Sequence, residues 1–231
     1  MTETLFAPPV QRALRSDVYD ALRRAIITGA ISSGQRINET EIGRQMQISR
    51  APIREAIRVL EQEGLLESVP RRGTFVVSLS SADIEEVYTL RADIEARAIR
   101  RALPRLEAEH FEILTSLVDR MLIAAEGAHM TTLLDLDLQF HRTLVELADW
   151  PRLRKIWESL HPQTLTLYTL TTLTEWPPQM HAQRHLPVLQ ALQSRDADLA
   201  AEAITEHILG VGRRLILRAG GEPSVPGHRR G

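Results

Sequence analysis

Residues 49–64, SRAPIREAIRVLEQEG, combine a helix-opening signal, a basic first turn and a closing glycine, and they constrain the chain around them more than any other stretch. Ser49 is placed to cap a helix, and Pro52 is tolerated in the first turn because early helical N–H groups have no internal partner. Ile53, Ile57 and Leu60 recur at helical spacing and predict the buried stripe, while Gly64 supplies the stop. Upstream, Val18, Leu22, Ala25 and Ile26 predict a first helix over Ser16 to Thr28, ended by Gly29. Asn38 then caps a short second helix, with Glu41 at the reciprocal capping-box position and Ile42 and Met46 facing inward. Downstream, LLESV and TFVVS read as two strands joined by the basic turn PRRG. Helix, helix, helix and hairpin in that order make a winged helix-turn-helix.

That fold gives the arginines a use. The start of the third helix of such a head enters the major groove, so Arg50 and Arg54, one turn apart, reach base edges or flanking phosphates. Arg58, a turn further along, meets phosphate or a partner carboxylate. At the wing tip, Arg72 and Gly73 enter the adjacent minor groove, where a bare glycine backbone permits close approach. The competing reading is a solvated helix face with Glu55, Glu61 and Glu63 as partners. An overall charge of −2 hides only a mild excess of arginine over acid in residues 1–78, so placement and not total charge favours DNA.

At 231 residues and 43% hydrophobic, the chain is long enough for a second domain. It has no cysteine, which excludes disulfides and thiolate metal sites. No run of about 18 apolar residues occurs, and MTETLFAPPVQ lacks the basic start and apolar core of a signal peptide, so a soluble cytoplasmic protein without a membrane partner is expected. Beyond SLSS, where Ser80 or Ser81 caps a helix running to about Leu103, every segment reads as helix: roughly 105–126, 129–148, 151–173, 179–194 and 196–218. The expected fold is therefore mostly α. A winged head over 11–78 precedes an all-α antiparallel bundle of about six helices over 79–218, with residues 1–10 and 219–231 disordered.

One helix of the bundle breaks its apolar pattern. Leu133, Phe140, Leu144 and Leu147 form the inward stripe, and Asp137 and His141 project from the same side. Burying both is costly unless they pair with each other or bind a metal. His185 and His207, on the last two helices, are placed to converge on the same cavity, and three His with one Asp suit Zn²⁺, Mn²⁺ or Ni²⁺. His181, one turn from His185, is a rival, and Pro187 predicts a kink or a helix start just after His185. Arg91 and Glu95 form either a surface salt bridge or a pair whose Arg91 faces the cavity and forks onto a carboxylate. Thr164, Tyr168 and Thr172 are candidates to supply hydroxyls to the same pocket.

The head, from ALRRAIITGAISSGQRINETEIGRQM through SRAPIREAIRVLEQEGLLESVPRRGTFV, closely resembles the DNA-binding domain of the GntR family of bacterial transcription regulators. It carries that family's Ser-Arg-x-Pro-x-Arg-Glu-Ala core as Ser49, Arg50, Pro52, Arg54, Glu55 and Ala56. The resemblance implies operator contacts from Arg50, Arg54, Arg72 and Gly73. Thr40 stands where some members place a DNA-contacting arginine. LDLDLQFHRTLVELADWPRL, HLPVLQAL and AAEAITEHILGV are similar to the effector domain of the FadR subgroup, the FCD domain. That implies a metal set of Asp137, His141, His185 and His207, and a small organic acid as effector near Arg91 and Tyr168. A six-helix effector domain would point to the VanR-like branch.

Two functions follow. The first is a ligand-responsive regulator, a homodimer on an inverted-repeat operator in double-stranded DNA. The alternative is a metal-dependent hydrolase, but no further carboxylate stands at the spacing a general base would need.

Overall fold

The computed structural model describes residues 10–27, 29–160 and 176–223, and the chain divides into two compact units, Met1–Ser78 and Leu79–Gly231. The first unit holds α1 (Val10–Ile27), α2 (Glu39–Met46) and α3 (Arg50–Gln62), followed by an antiparallel hairpin of β1 (Leu66–Val69) and β2 (Gly73–Val76). This is the winged helix-turn-helix that the sequence predicts. Val18, Leu22 and Ile26 of α1 are buried with Ile53, Ile57 and Leu60 of α3.

Local details differ from expectation. α1 begins at Val10, before Ser16. Asn38 caps α2 by accepting from Thr40 N and Glu41 N at 3.1 Å each, but Glu41 does not close the capping box. Its carboxylate takes Arg44 and Gln45, each at 2.6 Å, because a charge-assisted bond outcompetes a single exposed backbone N–H. Ser49 holds the N-cap position of α3 in extended backbone without a side-chain cap bond. The hairpin gains a third partner, since Ile37 N donates to Thr74 O at 2.8 Å and Val76 N to Gln35 O at 2.9 Å. That segment is too short to show a strand's alternation.

The second unit holds α4 (Ser81–Ala102), a 3₁₀ turn over Leu103–Arg105, α5 (Ala108–Glu126), α6 (Met130–Leu147), α7 (Pro151–Ser159), α8 (Pro178–Gln183), α9 (Leu186–Gln193) and α10 (Ala197–Arg218). Ser80 caps α4 in a capping box with Asp83. The predicted 151–173 helix is described only as α7, its remainder lying outside the described residues. The segment 179–194, expected as one helix, is two. Pro187 has no N–H and its ring blocks the preceding turn, so α8 stops at Gln183 and α9 starts at Leu186 with Pro187 in its first turn. The described residues of the domain thus form seven α-helices, the expected bundle of about six with the 179–194 segment divided.

The core is helix on helix. Trp157 of α7 is fully buried against Ala98 of α4 and Leu138, Val145 and Ala148 at α6. The two 22-residue helices α4 and α10 pack side by side. Their spacing is set at Gly212, where a Cβ would stand 2.9 Å from Tyr88 Cβ.

Gly212→Ala therefore sets two effects against each other. Helix propensity favours alanine by about 0.5–1 kcal/mol, whereas overpacking costs about 1–3 kcal/mol. A net loss of about 1 kcal/mol is expected in urea unfolding. Gly210→Ala, whose Cβ would meet nothing closer than 3.5 Å, should be neutral or stabilising. Equal behaviour of the two variants would contradict close helix contact at Tyr88.

Candidate functional site

The bundle brings Asp137, His141, His185 and His207 to one cavity, whose lining includes Arg91 and Tyr88. One ring nitrogen from each of His141, His185 and His207 lies within 4.8 Å of the others, and the ring centroids are 4.5–5.5 Å apart. Each ring is held through its other nitrogen. His141 Nδ1 lies 2.6 Å from Glu95 Oε2, a carboxylate oxygen that can only accept. His185 Nδ1 meets the carbonyls of His181 and Ala182 at 3.2 Å, at the end of α8. His207 Nδ1 meets the carbonyl of Arg184 at 3.1 Å. With all three Nδ1 atoms donating, the three Nε2 atoms carry lone pairs.

Asp137 Oδ1 approaches His185 Nε2 at 3.3 Å, yet that buried nitrogen has no hydrogen-bond partner among the described residues. With the ring proton on Nδ1, this contact sets a carboxylate oxygen against a ring lone pair, two acceptors that a cation between them would satisfy. An Asp137–His141 pair closed on itself is not what forms, because His141 is turned to Glu95. Three buried Nε2 acceptors beside a carboxylate, one of them orphaned, suit a divalent ion better than a hydrogen-bonded core. His181 lines the same cavity but stays outside the cluster, its ring tilted against Trp176 with centroids 5.4 Å apart.

Arg91 and Glu95 do pair, at 2.8 Å, but the pair is buried and not on the surface: their side chains are 5% and 0% exposed. Glu95 also accepts from Trp157 Nε1 at 2.8 Å. The sequence showed Glu95 one turn from Arg91 but gave no sign that it reaches His141 on a different helix. Burial works against the charge of Glu95, yet His141, Arg91 and the Trp157 N–H together hold it below the usual carboxylate range. Asp137 is likewise held low, burial being outweighed by surrounding groups, with the Arg91 guanidinium the permanent charge among them. His141 and His207 are pushed below the usual imidazole value, in both cases chiefly by burial.

The cavity measures about 30 Å³. About 10–15 Å³ holds one water, so there is room for an ion and a water and not for a multi-atom acid. Arg184 donates to the carbonyl of His207 and separates this cavity from a groove of about 770 Å³ lined by Trp176, Val188, Arg213, Arg214 and Leu217. Tyr168, Thr164 and Thr172 lie outside the described residues.

On the head, Arg50, Arg54, Arg58, Ser49 and Arg72 are exposed. Arg50 Nη2 donates to Thr40 Oγ1 at 3.4 Å, and Arg54 Nε pairs with Glu39 at 2.9 Å while 65% exposed. Arg54 therefore has a carboxylate partner from α2, not from the Glu55, Glu61 and Glu63 of its own segment. At the wing, Arg72 lies 5.9 Å from the Phe75 ring centroid, and Gly73 adopts a φ of +111°. A Cβ there would stand 2.8 Å from Arg36 Nε, so glycine leaves space for a third cation beside the wing that sequence reasoning did not single out.

A basic winged head followed by a helical domain with a buried histidine cluster defines a two-domain DNA-binding transcription regulator. The chain belongs to the GntR family of bacterial regulatory proteins: that family's model matches residues 9–76 and the FCD domain matches residues 86–210. It is 31% identical to the probable D-xylose utilization operon transcriptional repressor of Paenarthrobacter nicotinovorans, over 84% of each chain. It is 29% identical to the HTH-type transcriptional repressor RspR of Escherichia coli K12, over 84% of this chain and 86% of that one. In fold it is similar to E. coli McbR/YncC, with a TM-score of 0.67 at 20% identity over 90% of this chain and 99% of the other. The matched family and the two repressors are regulators and not enzymes, which sets the hydrolase alternative aside. No described helix is long and apolar enough to cross a membrane.

The depressed histidines make stability depend on pH. The unfolded chain takes up protons below about pH 6.5 that neutral, buried His141 and His207 refuse, so folded stability is full above that value and falls as the pH drops below it. The slope is at most about 1.4 kcal/mol per pH unit for each histidine. Trp150, Trp157 and Trp176 all lie in the second unit, so tryptophan emission during urea unfolding reads this domain. Metal-free protein should be less stable at pH 5.5 than at 7.5, and less steeply so in His207→Gln. A flat profile in the wild type would contradict neutral burial.

Proposed function

We propose that this chain is a homodimeric repressor that reads an inverted-repeat operator and senses a small carboxylate through a divalent metal ion. Asp137, His141, His185 and His207 hold the ion, with Zn²⁺, Mn²⁺ and Ni²⁺ the candidates their chemistry suits. The observation that carries the reading is the disposition of the three histidines, each with Nδ1 tied to an oxygen and Nε2 left in a buried cavity. When bound, the ion supplies a positive centre that attracts an anionic effector.

The effector's carboxylate takes the water-sized space beside the ion, near Arg91, with Tyr168 a further candidate contact. Its remaining atoms extend past Arg184 into the wider groove, whose Arg213 and Arg214 favour a second acidic group. On the head, Arg50 and Arg54 contact bases, Arg58 and Ser49 the flanking phosphates, and Arg72 and Gly73 the minor groove. Two heads are required because one module covers too little of an operator, and two-fold protein symmetry matches an inverted repeat.

Two measurements test this. At fixed salt, Arg50→Ala and Arg54→Ala should each weaken operator binding by about 1–3 kcal/mol if they make bidentate base contacts. Unchanged affinity in both would remove α3 as the reader. Elemental analysis should find near-stoichiometric metal in the wild type, lost in His141→Ala and His207→Ala while operator binding persists. Equal metal content in all three would return the histidines to a structural role.

A further inference from the structure

We propose that Glu95 is the positioning residue that sets the tautomer of His141 and so makes its Nε2 a metal ligand, an inference that rests on the metal reading above. Glu95 is fully buried, and its two oxygens are divided between different partners. Oε1 accepts from Arg91 Nε and Trp157 Nε1, both at 2.8 Å, while Oε2 meets His141 Nδ1 at 2.6 Å. Arginine and tryptophan nitrogens are donors only. They fix the carboxylate from one side, so the other oxygen always presents an acceptor to His141. A neutral imidazole has one N–H, and placing it on Nδ1 leaves the Nε2 lone pair for the cavity. Trp157 itself is held by the apolar core of Ala98, Leu138, Val145 and Ala148, which ties the ligand's orientation to the packing of α4, α6 and α7.

The isosteric replacement Glu95→Gln has a directional effect. The amide oxygen must take the Oε1 position, because an NH₂ there would face two donors. The NH₂ then faces His141 Nδ1 and donates to it, which drives the ring proton onto Nε2 and blocks ligation. The substitution therefore keeps shape and hydrogen-bond number but inverts the tautomer.

The test uses the full-length protein and Zn²⁺ in competition with a chromogenic chelator, together with long-range ¹H–¹⁵N NMR of the metal-free histidines. Glu95→Gln should bind Zn²⁺ about 10–100-fold more weakly than the wild type. His141 should change from Nδ1–H to Nε2–H. Trp157→Phe, which removes a donor from Oε1 but leaves Oε2 on His141, should shift affinity far less. Unchanged Zn²⁺ affinity in Glu95→Gln, or a wild-type His141 already protonated on Nε2, would overturn the assignment. If the glutamine variant fails to fold, the wild-type tautomer alone decides. Absence of Zn²⁺ uptake by the wild type would defeat the metal reading, while the NMR result would still decide whether Glu95 sets the tautomer.

Discussion

Three imidazoles lie with ring centroids within 5.5 Å of one another in a helical bundle, and each must turn a ring N–H to an acceptor. The FCD domain is arranged around that requirement. α4 contributes Glu95, the frayed end of α8 contributes two carbonyls, and Arg184, in the turn between α8 and α9, contributes a third. The break forced by Pro187 is thus part of the site. Without it α8 and α9 would be continuous, and the carbonyl of Arg184, which accepts from His207, would be spent on the helix ladder. The close approach of α4 to α10 at Gly212 joins the two long helices that carry Glu95 and His207.

The reading head solves a different problem, which is to present cations without losing them to their own neighbours. Arg54 rests on Glu39 and Arg50 on Thr40, but both arginines are exposed. Exposed pairs contribute little and are screened by salt, so these contacts can be given up at little cost. Thr40 stands where relatives of this type can place an arginine, and here it accepts from one instead. Rigid packing of Ile53, Ile57 and Leu60 below keeps the arginine row in register.

Much of this was legible in the sequence because the signals are local. Asn38, Gly64 and the period of Ile53, Ile57 and Leu60 marked the head, and Asp137 with His141 on an apolar face marked the cavity. Pro187 announced a kink or a helix start just after His185, and the helix start is what forms. What could not be read were contacts across elements. Glu95 looked like the partner of Arg91, which it is, but its reach to His141 and Trp157 depends on how α4, α6 and α7 pack. The pairing of residues 34–37 with β2, and the nearness of Arg36 to Gly73, likewise depend on tertiary closure. Glu41 missed the capping box because its carboxylate took Arg44 and Gln45, and Ser49 holds the N-cap position of α3 without a side-chain bond, details that spacing does not encode.

The central claim is that the described cluster is a nitrogen-rich metal site built from Nε2 atoms. X-ray absorption spectroscopy of the Zn²⁺-loaded protein tests it most directly. The account predicts a first shell of nitrogen and oxygen only, at about 2.0–2.2 Å, with the outer-ring scattering of three imidazoles. Loss of one imidazole's scattering in His185→Ala would place the ion in this cavity. A shell of oxygens with one imidazole or none would contradict the claim, since it would put the ion on surface carboxylates and leave the three histidines without a ligand.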